Sequence, residues 1–322
     1  MSVKRSDFTV GMLKDLYKYF FETYDETPTV YDQVFDVQPS DAAYEQSTSV
    51  VGMGQLAEKP ESDAIAYRKP LEGFTTYGIN KTWSDGVEIS MEAVEDHQKI
   101  GDLLRATART WGSSVKATRE TFYAKTFNYG GYTAGHDHFK NVISGVISQN
   151  TGGLVYDGKP LFTLTGNARS SKNGGTYYNS LGALSLTQAN LITAYNLMTS
   201  TNNRNERDEI VQIIPDTLLV PPALRFTGSV ILNSTLLPGS GNNDVNAMAG
   251  IVRLVVWPYL TDTDAWFLLK AKSGLVAQNR KDPVIDFYQD EDTKSFKANI
   301  VARFGHRVDN FRFVVGANIS TS

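Results

Sequence analysis

The sequence predicts an α+β chain in which much of the length is extended rather than packed into compact domains. Three observations carry that expectation. An alternation of period two runs through 75–89, with Thr75, Tyr77, Ile79, Trp83, Val87 and Ile89 on one face, yet the segment holds too few aliphatic residues to enclose a core. Helical spacing then continues from about 90 to 128, far beyond an average globular helix. After it, short apolar runs alternate with capped helical segments and loops dense in Gly, Asn, Ser and Thr.

From the N-terminus, Val10, Leu13, Leu16, Tyr17, Phe20, Phe21 and Tyr24 recur at helical spacing over about 7–24, with Ser6 or Asp7 as cap. Past Pro28 the pattern dissolves into an extended, Asp-rich stretch as far as Asp41. Such an arm, about 1–40, has little reason to fold alone, and its apolar face must rest on something else, another subunit being one candidate. Next, 44–54 and 75–89 read as the strands of a long hairpin, with Lys81 the main exception to the alternation. The charged, proline-broken segment 56–63 reads as its exposed tip. A hairpin of that length and composition needs a partner to stabilise it.

Ser90 can cap the long helix, with Glu92, Glu95 and Asp96 in its first turn. Val94, Ile100, Leu104, Ala108, Trp111, Val115, Phe122 and Phe127 form its apolar face, and Tyr129-Gly130-Gly131 ends it. The length is roughly 57 Å at the α-helical rise, and Gly101 and Gly112 are its two places to bend. Ser185-Leu186-Thr187-Gln188 has capping-box form and predicts a helix to about Thr199. Residues 210–220 are β-rich, and Pro221-Pro222 then stops the strand and opens a helix over 223–233. Residues 251–257 and 265–269 predict two buried strands, and 284–288, 296–304 and 311–316 predict three more.

Composition excludes several functions. The 322 residues include no Cys, which removes disulfides, thiolate metal sites and cysteine nucleophiles. With 31 Lys+Arg against 35 Asp+Glu, the chain lacks the basic excess of a nucleic-acid clamp. No run approaches the ~20 apolar residues of a membrane span, and the polar N-terminus lacks a signal core, so an intracellular, soluble product is expected. The length suggests roughly two domains.

The motifs with chemical meaning are weak. Residues 153–160 nearly match a phosphate-binding loop, but Pro160 stands where a magnesium-binding hydroxyl is needed, so a turn joining two short strands is the better reading. His136-Asp137-His138 offers potential metal ligands, without a recognisable third ligand from His97 or His306. Glu95/Asp96 and Asp290/Glu291/Asp292 read as a helix start and a solvated turn rather than as a catalytic dyad. Arg105, Arg109, Lys116 and Arg119 can share one helix face, and Arg303, His306, Arg307 and Arg312 form a second basic set; ion pairs or solvent are the commoner fates of such faces. Trp83, Trp111, Trp257 and Trp266 sit in apolar contexts suited to core or interface packing.

The order of the elements says more than any motif. An arm, a long hairpin, a very long helix, a mixed α/β region and closing strands together resemble the major capsid protein of tailed phages, the Hong Kong 97-type fold. Asp157-Gly158-Lys159-Pro160-Leu161-Phe162, Thr217-Leu218-Leu219-Val220-Pro221-Pro222-Ala223-Leu224 and Ile231-Leu232-Asn233-Ser234-Thr235 look like the Mu-like major head subunit. So do Val255-Val256-Trp257-Pro258-Tyr259-Leu260, Asp264-Ala265-Trp266-Phe267-Leu268 and Arg303-Phe304-Gly305-His306. The resemblance covers essentially the whole chain and is strongest from 157 to 316.

The resemblance implies an N-arm at 1–40, an extended loop at 41–89, a spine helix of the peripheral domain at 90–130, a mainly axial domain at 131–283 and closing peripheral strands at 284–322. It implies a shell subunit, not an enzyme, without cofactor or metal, that assembles with itself into pentamers and hexamers of an icosahedral head. The other implied partners are portal, scaffold and maturation protease, with a decoration protein as an option, and packaged double-stranded DNA held without sequence specificity. No membrane is involved, and assembly in the host cytoplasm leads to the virion. Each extended loop would lie over a neighbour, and Phe20, Phe21, Glu58, Lys59, Glu61, Lys69 and Trp83 are the candidates for contact between subunits. The scaffold would be a separate protein or one already removed. Lys59 and Lys69 have no identifiable Asn partner, so the Lys–Asn cross-link of some relatives is not expected. Two alternatives stand beside this reading: an encapsulin-like compartment for protein cargo, and a metal-dependent hydrolase using His136 and His138.

Overall fold

A computed structural model describes residues 5–52, 54–56, 58–65, 67, 69–90, 100–132, 138, 155–236, 244–290, 292–293 and 295–320. The arm forms helix α1 (Arg5–Glu26), a single turn α2 (Tyr31–Val34) and strand β1 (Asp36–Pro39). The hairpin follows as β2 (Tyr44–Gly52) and β3 (Leu71–Ile89), and the spine is α3 (Ile100–Asn128). The first-turn acids expected at Glu92, Glu95 and Asp96 lie outside the described residues.

One five-stranded sheet has the order β1-β9-β10-β3-β2, where β9 is Leu275–Gln289 and β10 is Phe296–Val308. Strand β3 is shared along its length. Its C-terminal part pairs with β10, from Phe296 opposite Ile89 to Gly305 opposite Asn80. Its N-terminal part continues past β10 and pairs with β2, from Tyr44 opposite Ile79 to Gly52 opposite Leu71. The hairpin is therefore an outgrowth of the body's own sheet, and the period-two signal of 75–89 spans both parts.

Helix α3 lies against this sheet and α1 lies against α3. Leu16 and Phe20 of α1 are buried with Leu104, Ala108 and Trp111 of α3, above Ile285, Phe287, Phe296 and Ile300 of the sheet. The apolar face of the arm does rest on something else, and that cover is its own spine rather than the candidate neighbour. Gly112 is where the two helices touch: a Cβ there would stand 2.8 Å from the Phe20 carbonyl oxygen and 3.0 Å from the Tyr24 nitrogen. The helix runs unbroken through Gly101 and Gly112, so close approach, not bending, explains the second of them.

The second body is built on a four-stranded sheet of order β11-β8-β6-β7, with β6 (Thr217–Val220), β7 (Arg253–Val256), β8 (Trp266–Leu269) and β11 (Val314–Ala317). Helices α4 (Gln188–Asn196) and α5 (Arg225–Asn233) pack on it through Leu191, Ala194, Ile231 and Leu232. A two-residue ladder, β4 (Arg169–Ser170) with β5 (Thr176–Tyr177), sits to one side. The C-terminal half of α3 joins the two bodies, since Phe122, Tyr123 and Phe127 share a core with Trp257, Phe267, Phe304 and Phe311. Glu120 reinforces the junction. Its buried carboxylate accepts from Val30 N–H, from Tyr31 N–H at 3.2 Å and from the Trp257 indole, tying arm, spine and second sheet together. Burial nevertheless pushes this carboxyl above its ordinary range.

Local differences from the sequence reading have plain causes. Thr187, not Ser185, caps α4, its hydroxyl accepting from Asn190 N–H at 3.2 Å. Only 217–220 of the β-rich run 210–220 is a strand, because Ile210 makes just one isolated bridge, to Arg204, and Ile210 and Ile214 stay exposed. Residues 311–313 form a 3-10 turn capped by the Asn310 side chain, and β11 then pairs with β8 rather than joining β9 and β10. Among the described residues no helix is long and apolar enough to cross a membrane.

Candidate assembly surface

Beyond its paired part the hairpin projects side chains that its own chain leaves in solvent. Leu56 is 97% exposed, Tyr67 95% and Ile65 64%. Three large apolar groups so close together on a coreless tip are an unusual exposure for a polar loop. Sequence reasoning singled out the charges instead, and Glu58, Lys59, Glu61 and Lys69 are indeed exposed around them. The apolar signal was present in the same segment, diluted by Pro60 and the acidic residues.

Three candidates lie elsewhere. Phe20 has no exposed surface, being packed edge-on against Phe21 at 5.1 Å between ring centroids and stacked with Tyr24 at 5.3 Å, so it offers nothing to a neighbour in this conformation. Phe21, on the outer side of the same helix, remains 43% exposed. Trp83 faces inward, stacked on Phe304 at 5.3 Å and edge-on to Phe122 at 5.6 Å. It borders a cavity of about 110 Å³ between α3 and the sheet, shared with Trp111, Val115 and Ile300. These two placements have one cause: an amphipathic pattern reveals which face is covered, not whose surface covers it.

The basic side chains of α3 also meet aromatic rings of the chain's own arm. The Arg105 and Arg109 guanidiniums lie 5.6 and 4.7 Å from the centre of the Tyr19 ring, and the Lys116 ammonium lies 4.2 Å from that of Tyr24. Arg119, buried, donates to the Tyr24 hydroxyl and to Asn279 Oδ1, both at 3.2 Å. These cations hold α1 through its aromatic rings rather than facing a polyanion. In the second set, Arg307 pairs with Asp309 at 2.8 Å and Arg312 with buried Glu206 at 2.7 Å.

The remaining chemical candidates are structural in this arrangement. At 157–160 the chain turns with Gly158 at φ 69°, with no strand flanking the turn among the described residues, and the buried guanidinium of Arg169 donates to Asp157 and to the Pro160 carbonyl. An internal ion pair therefore fills the place where the phosphate reading would seat an anion; Gly153 and Leu154 lie outside the described residues. His136 and Asp137 likewise lie outside them. His138 is buried, its Nε2 3.3 Å from Thr126 Oγ1 and its ring stacked on His306 at 4.6 Å. His306 is buried too, and burial, with a smaller push from Lys81, holds its imidazole down to about 3. Among the described residues no group of three or more His, Cys, Asp or Glu is placed to hold a metal ion. Asp290 is engaged by Lys297 Nζ, which lowers its carboxyl to about 2.

A family model described as phage capsid protein matches residues 79–317. No curated protein matches the chain in sequence. Among solved structures, one of Mycobacterium phage Che8 aligns at 13% identity over 92% of this chain and 93% of that one, with a TM-score of 0.51. The capsid structure of the cyanophage P-SCSP1u aligns at 10% identity over 92% and 89%, with a TM-score of 0.54. The capsid of a native GTA particle aligns at 9% identity over 92% and 94%, with a TM-score of 0.53.

Proposed function

The chain belongs to the phage capsid protein family, and from that membership we propose how this major shell subunit uses its parts to build a tailed-phage head. Its fold is the Hong Kong 97-type fold of such shells. Self-association is therefore its working state, and the virion its place. We assign 1–40 to the arm, 41–89 to the extended loop, 90–130 to the spine, 131–283 mainly to the axial domain and 284–322 to the peripheral domain, with β11 returning to the axial sheet. On this reading subunits gather into pentamers and hexamers, and the hairpin of each lies over a neighbour. Many overlaps of modest strength, multiplied by symmetry, then close the shell.

The observation that carries the reading of the hairpin is its tip. Leu56, Ile65 and Tyr67 are apolar and exposed, and none belongs to a core cluster of its own chain. A second copy supplies the missing cover, with Glu58, Lys59, Glu61 and Lys69 as the charged rim and Phe21 as a further contact. The family match favours a DNA container over an encapsulin-like compartment, and the net charge of -4 suits such a container, since a weakly acidic wall does not trap the packed polymer. Portal, scaffold and a maturation protease, with a decoration protein as an option, complete the proposed partners, and assembly takes place in the host cytoplasm. The Mu-like assignment rests on the sequence segments quoted above. The subunit works by shape and contact, with no reaction to catalyse.

Electron microscopy of the purified protein tests this. Pentamers, hexamers or closed shells are expected. A chain that stays monomeric at high concentration while its 44–89 segment is ordered would overturn the reading.

A further inference from the structure

The hairpin is rooted in one sheet and also gripped from the side by the other body of the subunit. The gripping loop, 204–209, is built to be rigid. The side-chain oxygen of Asn205 accepts from the N–H groups of Arg207 at 2.8 Å and Glu209 at 3.1 Å, and its own N–H donates to the Glu209 carbonyl at 2.9 Å. Asp208 takes the left-handed conformation at φ 60°. Its carboxylate accepts from the Ser171 hydroxyl at 2.9 Å and from the Tyr177 hydroxyl, which anchors the loop to the β4–β5 ladder beside Lys172.

Three charged side chains reach from this platform to the hairpin. Glu209 Oε1 accepts from Gln55 N–H at 3.1 Å. Arg207 donates to the Lys69 carbonyl at 2.9 Å. Lys172 Nζ donates to the Gly73 carbonyl at 2.7 Å and to that of Glu72. Gln55 is on the outgoing strand side and Lys69, Glu72 and Gly73 are on the returning one, so both sides are held near the end of the β2–β3 pairing. Gly54, at φ 79°, lets the chain pass directly over Glu209, where a Cβ would stand 2.5 Å from Oε1. Nearby, the Phe74 ring lies flat on Tyr156 with 3.8 Å between centroids.

We propose that Lys172, Arg207 and Glu209 form a clasp that fixes the angle of the hairpin on its own subunit before a neighbour is met. The proposal rests on the reading of the hairpin as surface lent to a neighbouring subunit. A freely swinging hairpin loses its orientational freedom when it docks. A clasped one has lost it on folding, so more of the docking contact appears as association free energy. The groups gripped in these contacts are main-chain carbonyls and one amide, and Leu56, Ile65 and Tyr67 stay in solvent, open to the second copy. The clasp also explains why charged residues distant in sequence from the hairpin converge on it.

The test uses the full-length chain, kept unassembled by dilution, with hydrogen exchange at the Gln55 amide and proteolysis within 55–69 as readouts. In Glu209→Ala the Gln55 amide should exchange roughly tenfold faster, the scale of one hydrogen bond to a charged acceptor. Glu209→Gln, which keeps an acceptor oxygen, should stay near the parent. The combined Lys172→Ala, Arg207→Ala, Glu209→Ala chain should be cut faster still and should form shells more slowly when concentrated. Unchanged exchange and cleavage in that chain, with thermal unfolding like the parent's, would overturn the clasp. If the combined variant does not fold, the three single variants decide by the same readouts. Should the parent itself never form shells, the hairpin's role in assembly fails while the exchange data still judge the clasp.

Discussion

Replacing Phe20 by Ala separates two accounts of the arm. Phe20 has none of its surface exposed, lies in the cluster with Leu16, Leu104, Ala108 and Trp111, and faces the Phe21 and Tyr24 rings at 5.1 and 5.3 Å. Truncating a fully buried Phe costs about 3–5 kcal/mol in lost transfer free energy and residual cavity. Collapse of α1 into the space is limited, because the helix backbones already touch at Gly112. The upper half of that range is therefore expected, about 4 kcal/mol. Phe21→Ala is the internal control. With 43% of Phe21 exposed, its truncation should cost under about 1.5 kcal/mol. Denaturant unfolding of the unassembled chain measures both, and hydrogen exchange over α1 tells loss of arm docking from global unfolding. If Phe20→Ala left the isolated chain within about 1 kcal/mol of the parent but abolished shells, Phe20 would be a contact between subunits and the packing of α1 on its own spine would be wrong.

Asp157→Asn should cost about 3–5 kcal/mol by denaturant midpoint, because it strands the buried Arg169 guanidinium without its carboxylate; a neutral result would mean that the ion pair is exposed in solution. His306, held down to about 3 when folded, takes a proton in the unfolded chain near 6.5. The depressed folded value means that its contribution is complete above about 6.5 and declines by about 1.4 kcal/mol per pH unit as pH falls from there toward 3. His306→Phe should flatten that part of the stability–pH curve, and an unchanged slope counts against burial. Tyr67→Glu, at a side chain 95% exposed, should leave the isolated chain's unfolding unaltered while suppressing shells seen by electron microscopy; normal shells would remove the tip from the interface.

What the sequence made legible was mostly local. The long helix was readable because its apolar residues recur through 100–128, and β3 because its alternation survives for a whole strand. The exposed tip followed from Pro60 and its charges. What failed to show was partnership. Residues 210–216 have strand-forming side chains but no neighbouring strand, and β propensity without a partner yields coil. Phe20 and Trp83 carry the pattern of covered residues, and only the packing of α1 on α3, or of Phe304 on Trp83, reveals that the cover is internal. The basic face of α3 was ambiguous for the same reason until Tyr19 and Tyr24 were found lying over it. Lys172, Arg207 and Glu209 carried no local signal at all, since their meaning depends on a hairpin about a hundred residues away or more.

The shared strand has a mechanical consequence. A 19-residue strand spans roughly 60 Å, and β3 carries the hairpin at one end and the sheet beneath the spine at the other. A pull on the tip along the strand axis reaches the β3–β10 ladder as shear. Its hydrogen bonds, from the Ile89–Phe296 pair to the Asn80–Gly305 pair, then resist together rather than parting one by one as in peeling. With the tip docked as proposed, tension between neighbouring subunits would be borne by a whole row of main-chain bonds and by the spine packed against them. A tip attached through a separate loop would have concentrated the same load on a single joint.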